Sequence, residues 1–167
     1  KLYIRDIPDF PIPGILFRDI TPLLANPDAF THVIEELKQK YIGRKIDAVV
    51  AIDARGFIFG APLAIRLKKP LILARKSGKL PGAILKTEYA LEYGTNTIEI
   101  HEDALIEGHK ILIVDDLLAT GGTFAATASL VENAGAKVES IVSIIELKDL
   151  SGRKRLQEYE VFSLVEY

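Results

Sequence analysis

Short apolar runs rich in Val, Ile and Leu recur along this chain and alternate with segments whose apolar residues follow helical spacing. The runs cover residues 48–52, 71–74, 111–114, 138–145 and 161–165. The unbroken runs 48–52 and 111–114 predict buried strands, as in a parallel sheet, and the other runs predict further strands. Strands that alternate with helices predict an α/β fold with a doubly wound, mainly parallel sheet flanked by helices.

Helix signals lie between these runs. Residues 26–41 begin with Asn and Pro, which suit a helix cap and first turn, and continue with apolar residues at helical spacing. This segment predicts an amphipathic helix that ends before Gly43. The segments 57–67, 124–134 and 151–157 predict further helices, the last of them short and basic.

Other segments predict irregular structure. Residues 7–14 hold three prolines and a glycine, which indicates an extended arm and turn. Residues 77–82 hold two glycines and a proline, which indicates a flexible loop. A hairpin-like excursion is expected around residues 94–96. Nothing in the pattern indicates an interdomain linker, so we predict a single domain over residues 1–167.

Composition removes several classes of protein. At 167 residues the chain is long enough for one domain with a sizeable core. Its net charge of −2 offers no basic field for nucleic acid or an anionic membrane. Because the chain has no cysteine, disulfides, thiolate catalysis and cysteine-ligated metal centres are excluded. No apolar run approaches the roughly 20 residues that a membrane helix needs.

The most distinctive chemistry follows the run 111–114. Asp115 and Asp116 come directly after it, and the loop Ala119-Thr120-Gly121-Gly122-Thr123 precedes a predicted helix. Open α/β sheets bind ligands at the carboxyl ends of their strands. Loop N–H groups, Thr hydroxyls and the positive end of a helix suit a phosphate, and the acids suit hydroxyls or a hydrated metal. A phosphorylated sugar combines these features.

The same stretch excludes two nucleotide-binding motifs. No Gly-Lys-[Ser/Thr] follows the loop, and the chain has no Gly-x-Gly-x-x-Gly fingerprint, so kinase and dehydrogenase functions lose their main support. Neighbouring strand residues point to opposite faces. We therefore expect Asp115 and Asp116 to have different roles and not to share a proton.

The segment 114–123, Val-Asp-Asp-Leu-Leu-Ala-Thr-Gly-Gly-Thr, resembles the phosphoribosyl pyrophosphate signature of type I phosphoribosyltransferases. Blocks that resemble the adenine phosphoribosyltransferases occur in that family's order at residues 13–23, 55–60, 75–82 and 89–94. Together the blocks span nearly the whole chain. Ala54 departs from the family, which commonly has Ser before Arg-Gly, and therefore offers no hydroxyl.

The resemblance implies a reaction and an assembly. Phosphoribose would pass from phosphoribosyl pyrophosphate to adenine, giving AMP and diphosphate in purine salvage, with Mg²⁺ as cofactor. The fold would be that of type I phosphoribosyltransferases, with a small N-terminal hood at about 7–24 and a flexible catalytic loop at about 79–93. The resemblance also implies a cytoplasmic homodimer, in which the residue matching Arg75 reaches the neighbouring subunit's site, and no nucleic-acid or membrane partner.

Three groups of site residues follow from the resemblance. The group for ribose 5-phosphate comprises Asp115, Asp116, Ala119, Thr120, Gly121, Gly122 and Thr123. The group for pyrophosphate comprises Ala54, Arg55, Gly56, Arg75 and Lys79. The group for the base and its proton comprises Leu16, Phe17, Arg18, Glu92 and Tyr93.

The roles within the groups differ. The two acids would face the ribose hydroxyls and reach Mg²⁺ through water, so that no residue is a direct metal ligand. Backbone groups of Leu16 and Arg18 would pair with the adenine edge and Phe17 would stack on its ring, although sequence alone also allows Phe17 to be a core residue. Glu92 would take the N9 proton, with Tyr93 beside it.

Two alternatives remain open. The first is a phosphoribosyltransferase for hypoxanthine or guanine, whose C6 oxygen demands a donor where adenine demands an acceptor. The second is a regulator that binds phosphoribosyl pyrophosphate without catalysis. Such regulators usually carry a nucleic-acid module or a basic face, and neither is visible in the chain, whereas Glu92 is retained.

Overall fold

The computed structural model describes residues 1–90 and 95–167. The described chain falls into two compact units, Lys1–Ile42 and Gly43–Tyr167. Among the described residues, no helix combines the length and apolar character that a membrane crossing requires.

The first unit holds a small sheet and two helices. Its elements are β1 (Arg5–Ile7), β2 (Phe17–Asp19), α1 (Thr21–Leu24) and α2 (Pro27–Tyr41). The helix predicted over 26–41 is confirmed, and the Asn26 side chain accepts a hydrogen bond from the N–H of Ala29 at 2.9 Å. The antiparallel strands β1 and β2 were not predicted, because three residues are too few to show an alternating pattern.

The second unit is built on seven strands. They are β3 (Ala48–Ile52), β4 (Leu71–Lys76), β5 (Ile84–Ala90), β6 (Thr95–His101), β7 (Lys110–Leu118), β8 (Lys137–Glu146) and β9 (Val161–Glu166). The spatial order is β5-β6-β4-β3-β7-β8-β9. Neighbouring strands among β4, β3, β7, β8 and β9 pair in parallel. Strand β6 pairs antiparallel with both of its neighbours, β4 and β5. The predicted doubly wound, mainly parallel sheet is confirmed.

Two helices wind the sheet in opposite directions. Helix α3 (Gly56–Leu67) leads from β3 to β4, towards one edge of the sheet. Helix α4 (Gly122–Asn133) leads from β7 to β8, towards the other edge. All five residues of β3 are buried, as its consecutive apolar residues predict. The point where the winding direction changes therefore lies between β3 and β7, and open α/β sheets bind ligands at such a point.

Three boundaries differ from the predictions. Strand β7 continues past the acids to Leu118, because β8 goes on pairing with it as far as Leu118 and Glu146. Residues 84–90 of the predicted loop form β5, which pairs with β6 along its whole length. The basic helix predicted over 151–157 is a 3₁₀ turn at Gly152–Arg155. That turn follows Ser151, whose left-handed backbone (φ 52°) is incompatible with continuous α-helix.

Candidate active site

Acidic and basic side chains meet at the change of winding between β3 and β7. Arg55 follows β3 as the cap of α3, and Asp116 lies near the carboxyl end of β7. The Arg55 Nε atom is 2.9 Å from Asp116 Oδ2, and the Asp116 side chain is buried. The structure thus brings together one residue predicted for pyrophosphate and one predicted for ribose.

The first residue of α3 lies against the carboxyl end of β7. A Cβ atom built on Gly56 would be 2.8 Å from the Val114 carbonyl oxygen and 2.9 Å from Asp115 Oδ1. Neither distance is tolerable, so only glycine allows this approach of helix and strand. Gly56 therefore sets the separation between the Arg55 backbone and the acids.

The two acids interact with each other. The Asp116 N–H donates to Asp115 Oδ1 at 2.8 Å. Burial raises the pKa of the Asp115 carboxyl well above its ordinary value, and the charge of Asp116 raises that pKa further. Burial also raises the pKa of Asp116, although the Arg55 guanidinium offsets part of the effect. The site therefore favours a cation or hydroxyl donors beside these carboxylates.

Replacing Asp115 with Asn is expected to stabilise the fold at neutral pH. The raised pKa favours the protonated carboxyl, so Asp115 costs folding stability as the pH rises from its ordinary value of 3.8 through the folded-state pKa. Since Asp115 keeps some solvent exposure, we expect the unfolding free energy near pH 8 to increase by about 1 kcal/mol, with no increase near pH 3. Chemical denaturation of both proteins at the two pH values measures this.

Asp53→Asn is the matched control for that measurement. Burial alone would raise the pKa of Asp53, but hydrogen bonds and charge from Lys79 and a hydrogen bond from Arg75 outweigh it and lower the pKa. The Asp53 carboxylate therefore stabilises the fold above its ordinary pKa, and Asp53→Asn should destabilise it near neutral pH. If both variants change stability in the same direction, the electrostatic interpretation of Asp115 is wrong.

Residues 119–123, the Thr-Gly loop, comprise the connection after β7 and the first two residues of α4. Gly121 has a φ of 79°, a conformation that favours glycine, and no side chain caps the helix that begins at Gly122. The first N–H groups of a helix have no partner within it, so they point to where an anion would bind. Thr123 Oγ1 lies 3.5 Å from the Tyr89 hydroxyl oxygen, which brings β5 to the same loop.

The remaining cations predicted for pyrophosphate converge on Asp53, a residue that sequence reasoning left without a role. Arg75 Nε is 3.3 Å and Lys79 Nζ is 3.1 Å from Asp53 Oδ2. The Asp53 side chain is only 2% exposed, so it needs these cations. Asp53 directly follows β3 and lies two residues before Arg55, and this position in the sequence could have indicated that it belongs to the site. Ala54 lies between them, and its side chain adds no hydroxyl.

A second buried acid holds the start of the polar loop after β4. Glu99 on β6 accepts hydrogen bonds from Ser77 Oγ at 2.7 Å and from the Gly78 N–H at 3.0 Å. Glu99 lies opposite Arg75 in the β4–β6 pair. These contacts tie the turn that carries Lys79 to the sheet.

The residues predicted for the base belong to the first unit. Phe17 and Arg18 lie on β2, and Leu16 precedes it with 44% of its surface exposed. The Phe17 ring meets the Phe10 ring edge-on at 5.2 Å, and Arg18 pairs with Asp6. Phe17 is half-buried. Its stacking role stays a prediction.

Buried Asp19 orders the end of β2. It accepts hydrogen bonds from the Thr21 N–H at 2.9 Å and from Arg5 Nε at 3.0 Å. The hydrogen bonds from Thr21 are the main reason that the pKa of Asp19 is lowered. The strand that carries Phe17 and Arg18 is thereby fixed to α1 and β1.

The predicted general base, Glu92, and its neighbour Tyr93 lie outside the described residues. Within residues 1–90 and 95–167, no group of three or more His, Cys, Asp or Glu side chains is arranged to hold a metal ion. Asp115 and Asp116 offer carboxylate oxygens of the kind that Mg²⁺ prefers, and Mg²⁺ usually keeps several waters. Their donor chemistry therefore fits a hydrated Mg²⁺.

Comparison with known proteins agrees with this geometry. The phosphoribosyl transferase domain model matches residues 19–166. An adenine phosphoribosyltransferase from Chloroflexus aurantiacus is 56% identical over 164 residues, covering 98% of this chain and 95% of the relative. The crystal structure of an adenine phosphoribosyltransferase from Thermoanaerobacter pseudethanolicus is 53% identical, with a TM-score of 0.97 over 99% of this chain and 96% of that one.

A third relative was crystallised with ligands. The adenine phosphoribosyltransferase of Saccharomyces cerevisiae, in complex with D-2,5-dideoxy-2,5-imino-altritol 1,6-bisphosphate and adenine, is 40% identical to this chain. Its TM-score is 0.92, and the match covers 98% of this chain and 94% of the yeast chain. By domain, by sequence and by fold, the chain belongs to the phosphoribosyl transferase family, among the adenine phosphoribosyltransferases.

Proposed function

We propose that this chain transfers the phosphoribosyl group of 5-phospho-α-D-ribose 1-diphosphate to adenine, which yields AMP and diphosphate. In the reaction, N9 of adenine forms a bond to C1 of the ribose as the C1–O bond to diphosphate breaks. The proton on N9 is transferred to Glu92. The observation that carries the proposal is the convergence of acids and cations at the change of winding in a chain of this family.

Charge development explains why this convergence suits the reaction. Breaking the C1–O bond creates positive charge on the ribose and negative charge on the departing diphosphate. In the proposal, Asp115 and Asp116 lie beside the ribose, and Arg55, Arg75 and Lys79 lie beside the diphosphate. Preorganised groups of opposite sign stabilise such a transition state without further rearrangement.

Mg²⁺ is part of the proposal. Asp115 and Asp116 would hold it through water, and their raised pKa values indicate carboxylates that gain from a neighbouring cation. When bound, the ion adds positive charge to offset the diphosphate. The Thr-Gly loop would bind the 5′-phosphate through its N–H groups, with Thr120 and Thr123 adding hydroxyls.

Base recognition is assigned to the first unit. Backbone groups of Leu16 and Arg18 would offer adenine a donor and an acceptor, and Phe17 would stack on the ring. The crystallised yeast relative binds adenine, which supports this choice of base. The cytoplasmic location is also part of the proposal and rests on the family resemblance.

A homodimer is supported by the surface around Arg75. Leu71, Leu73 and Arg75 lie on one face of β4, because alternate strand residues share a face. The two leucines are 36% and 38% exposed, although β4 is an interior strand between β6 and β3. A second copy packed on this face would cover the leucines and place Arg75 at the interface.

Mixed dimers test whether Arg75 serves its own site or the partner's. Arg75→Ala alone is expected to raise KM for phosphoribosyl pyrophosphate about 10–100-fold, as loss of a charged hydrogen bond implies. Arg75→Ala chains are then paired with Asp116→Asn chains and assayed. If Arg75 acts across the interface, one of the two sites is complete and up to half of the wild-type activity returns. If Arg75 acts with the Asp53 of its own chain, both sites stay defective and no activity returns.

The reaction itself is tested by incubating the purified chain with phosphoribosyl pyrophosphate, Mg²⁺ and each purine base in turn. We expect adenine to give AMP and diphosphate, and chromatography measures the formation of both products. IMP from hypoxanthine without AMP from adenine would assign a different base. Binding of phosphoribosyl pyrophosphate with no reaction of any base would favour the regulator.

A further inference from the structure

The segment that leads from the end of β8 into the 3₁₀ turn at Gly152–Arg155 lies against the Thr-Gly loop. We call residues 146–153 the C-terminal clasp; it begins at Glu146, the last residue of β8, and ends at Arg153. The Leu147 N–H donates to the Leu118 carbonyl oxygen at 2.9 Å, so the clasp starts beside the residue that precedes the loop.

The far end of the clasp contacts the loop backbone directly. A Cβ atom built on Gly152 would lie 2.2 Å from the Ala119 carbonyl oxygen and 3.0 Å from the Gly121 nitrogen. A Cβ atom built on Gly121 would lie 2.5 Å from the Gly152 carbonyl oxygen. The two glycines thus allow two backbones to pack without intervening side chains. No side chain at either position could keep this contact.

A salt bridge between the partly exposed Arg153 and the buried Glu146 joins the two ends of the clasp. Arg153 Nε and Nη2 donate to the two oxygens of Glu146 at 2.7 and 2.6 Å, and the Glu146 side chain is 4% exposed. Hydrogen bonding from Arg153 is the main reason that the pKa of Glu146 is lowered. Arg153 also donates to the Val161 carbonyl oxygen at 2.9 Å. Its guanidinium is therefore engaged by β8 and β9 and acts on the loop through Gly152, the next residue.

We propose that Arg153 and Gly152 are positioning residues for the ribose 5-phosphate, because they hold the Thr-Gly loop in the conformation that binds it. This inference rests on the proposed function, which assigns that loop to the 5′-phosphate. Two adjacent glycines and an uncapped helix start leave the loop little rigidity of its own. Packing against the clasp supplies that rigidity, so the N–H groups are aimed before the phosphate arrives.

Arg153→Lys is the primary test. Lysine keeps the charge but loses the two-pronged contact with Glu146, so the clasp loosens. We expect KM for phosphoribosyl pyrophosphate to rise about 10-fold, while KM for adenine stays within about twofold. Calorimetric titration with ribose 5-phosphate should show a matching loss of affinity, and that probe reports on the loop without the base or diphosphate.

Arg44→Lys is the matched control. Arg44 Nη1 and Nη2 contact the two oxygens of Glu160 at 2.6 and 2.9 Å. Glu160 precedes β9, so this salt bridge lies at the amino ends of the parallel strands, whereas Glu146 lies at the carboxyl end of β8. The same substitution there should leave the affinity for ribose 5-phosphate unchanged. Equal losses of affinity in both variants would overturn the inference, because they would reflect general destabilisation.

Gly152→Ala keeps the inference falsifiable if Arg153→Lys disturbs folding. The added methyl group must displace the Ala119 carbonyl, so affinity for ribose 5-phosphate should fall about 10-fold or more in the folded variant. Wild-type affinity in folded Gly152→Ala or folded Arg153→Lys would overturn the positioning role. Failure of the wild-type chain to bind ribose 5-phosphate would instead refute the assignment of the loop in the proposed function.

Discussion

Asp116→Asn is expected to lower kcat/KM for phosphoribosyl pyrophosphate by about 10²–10³-fold, since the charge that stabilises the developing ribose cation is lost. Asn has nearly the same shape, so the effect isolates the charge. The Asp116 side chain is 5% exposed, and its distance of 2.9 Å to Arg55 Nε links it to the residue assigned to diphosphate. The substitution therefore removes favourable charge from the ribose and an ion-pair partner from Arg55.

Initial rates at varied phosphoribosyl pyrophosphate, with adenine saturating, measure this effect. Asp103→Asn provides the control, because Asp103 is an exposed turn residue between β6 and β7 and carries the same chemical change. We expect the control to retain wild-type kinetics. A loss of less than about threefold in Asp116→Asn would show that its charge takes no part in the transition state.

Glu92→Gln is expected to lower kcat by about 10²–10⁴-fold with a small change in KM, as removal of a general base does. Glutamine keeps the size of the side chain but cannot accept the N9 proton. Glu92 lies outside the described residues. The chain leads into that segment from Tyr89, whose hydroxyl oxygen is 3.5 Å from Thr123 Oγ1 of the Thr-Gly loop.

Glu88→Gln, four residues earlier in the chain, is the matched control. Glu88 is exposed on β5 and lies opposite Thr97 of β6, so the same substitution there should leave kcat unchanged. The pH dependence of kcat gives a second readout, because the decline on the acid side should disappear in Glu92→Gln. Wild-type turnover in Glu92→Gln would remove Glu92 from the mechanism.

The sequence predicted the sheet and the helices well where a local pattern was strong. Strand β3 matches its predicted bounds, because five consecutive apolar residues indicate burial on both faces. Helix α2 follows its Asn cap and apolar spacing. The acids and the Thr-Gly loop were found for the same reason: their chemistry is contained within ten consecutive residues.

Contacts between distant parts of the chain could not be predicted in this way. Asp53 pairs with Lys79, 26 residues away, and the local sequence at either position does not predict this ion pair. The contact between Gly121 and Gly152 joins residues that are close only in the folded sheet. The sequence around a glycine does not reveal whether a distant backbone segment packs against it. Strand alternation likewise did not predict the backbone hydrogen bond from Asp116 to Asp115 Oδ1.

The division of the chain after Ile42 separates the proposed tasks of the enzyme along its length. Leu16, Phe17 and Arg18, which are assigned to the edge and ring of the base, precede that boundary, and every described residue assigned to ribose, phosphate or diphosphate follows it. Substitutions that change which purine is accepted can therefore be sought at residues 16–18, apart from the residues assigned to the phosphoribosyl donor.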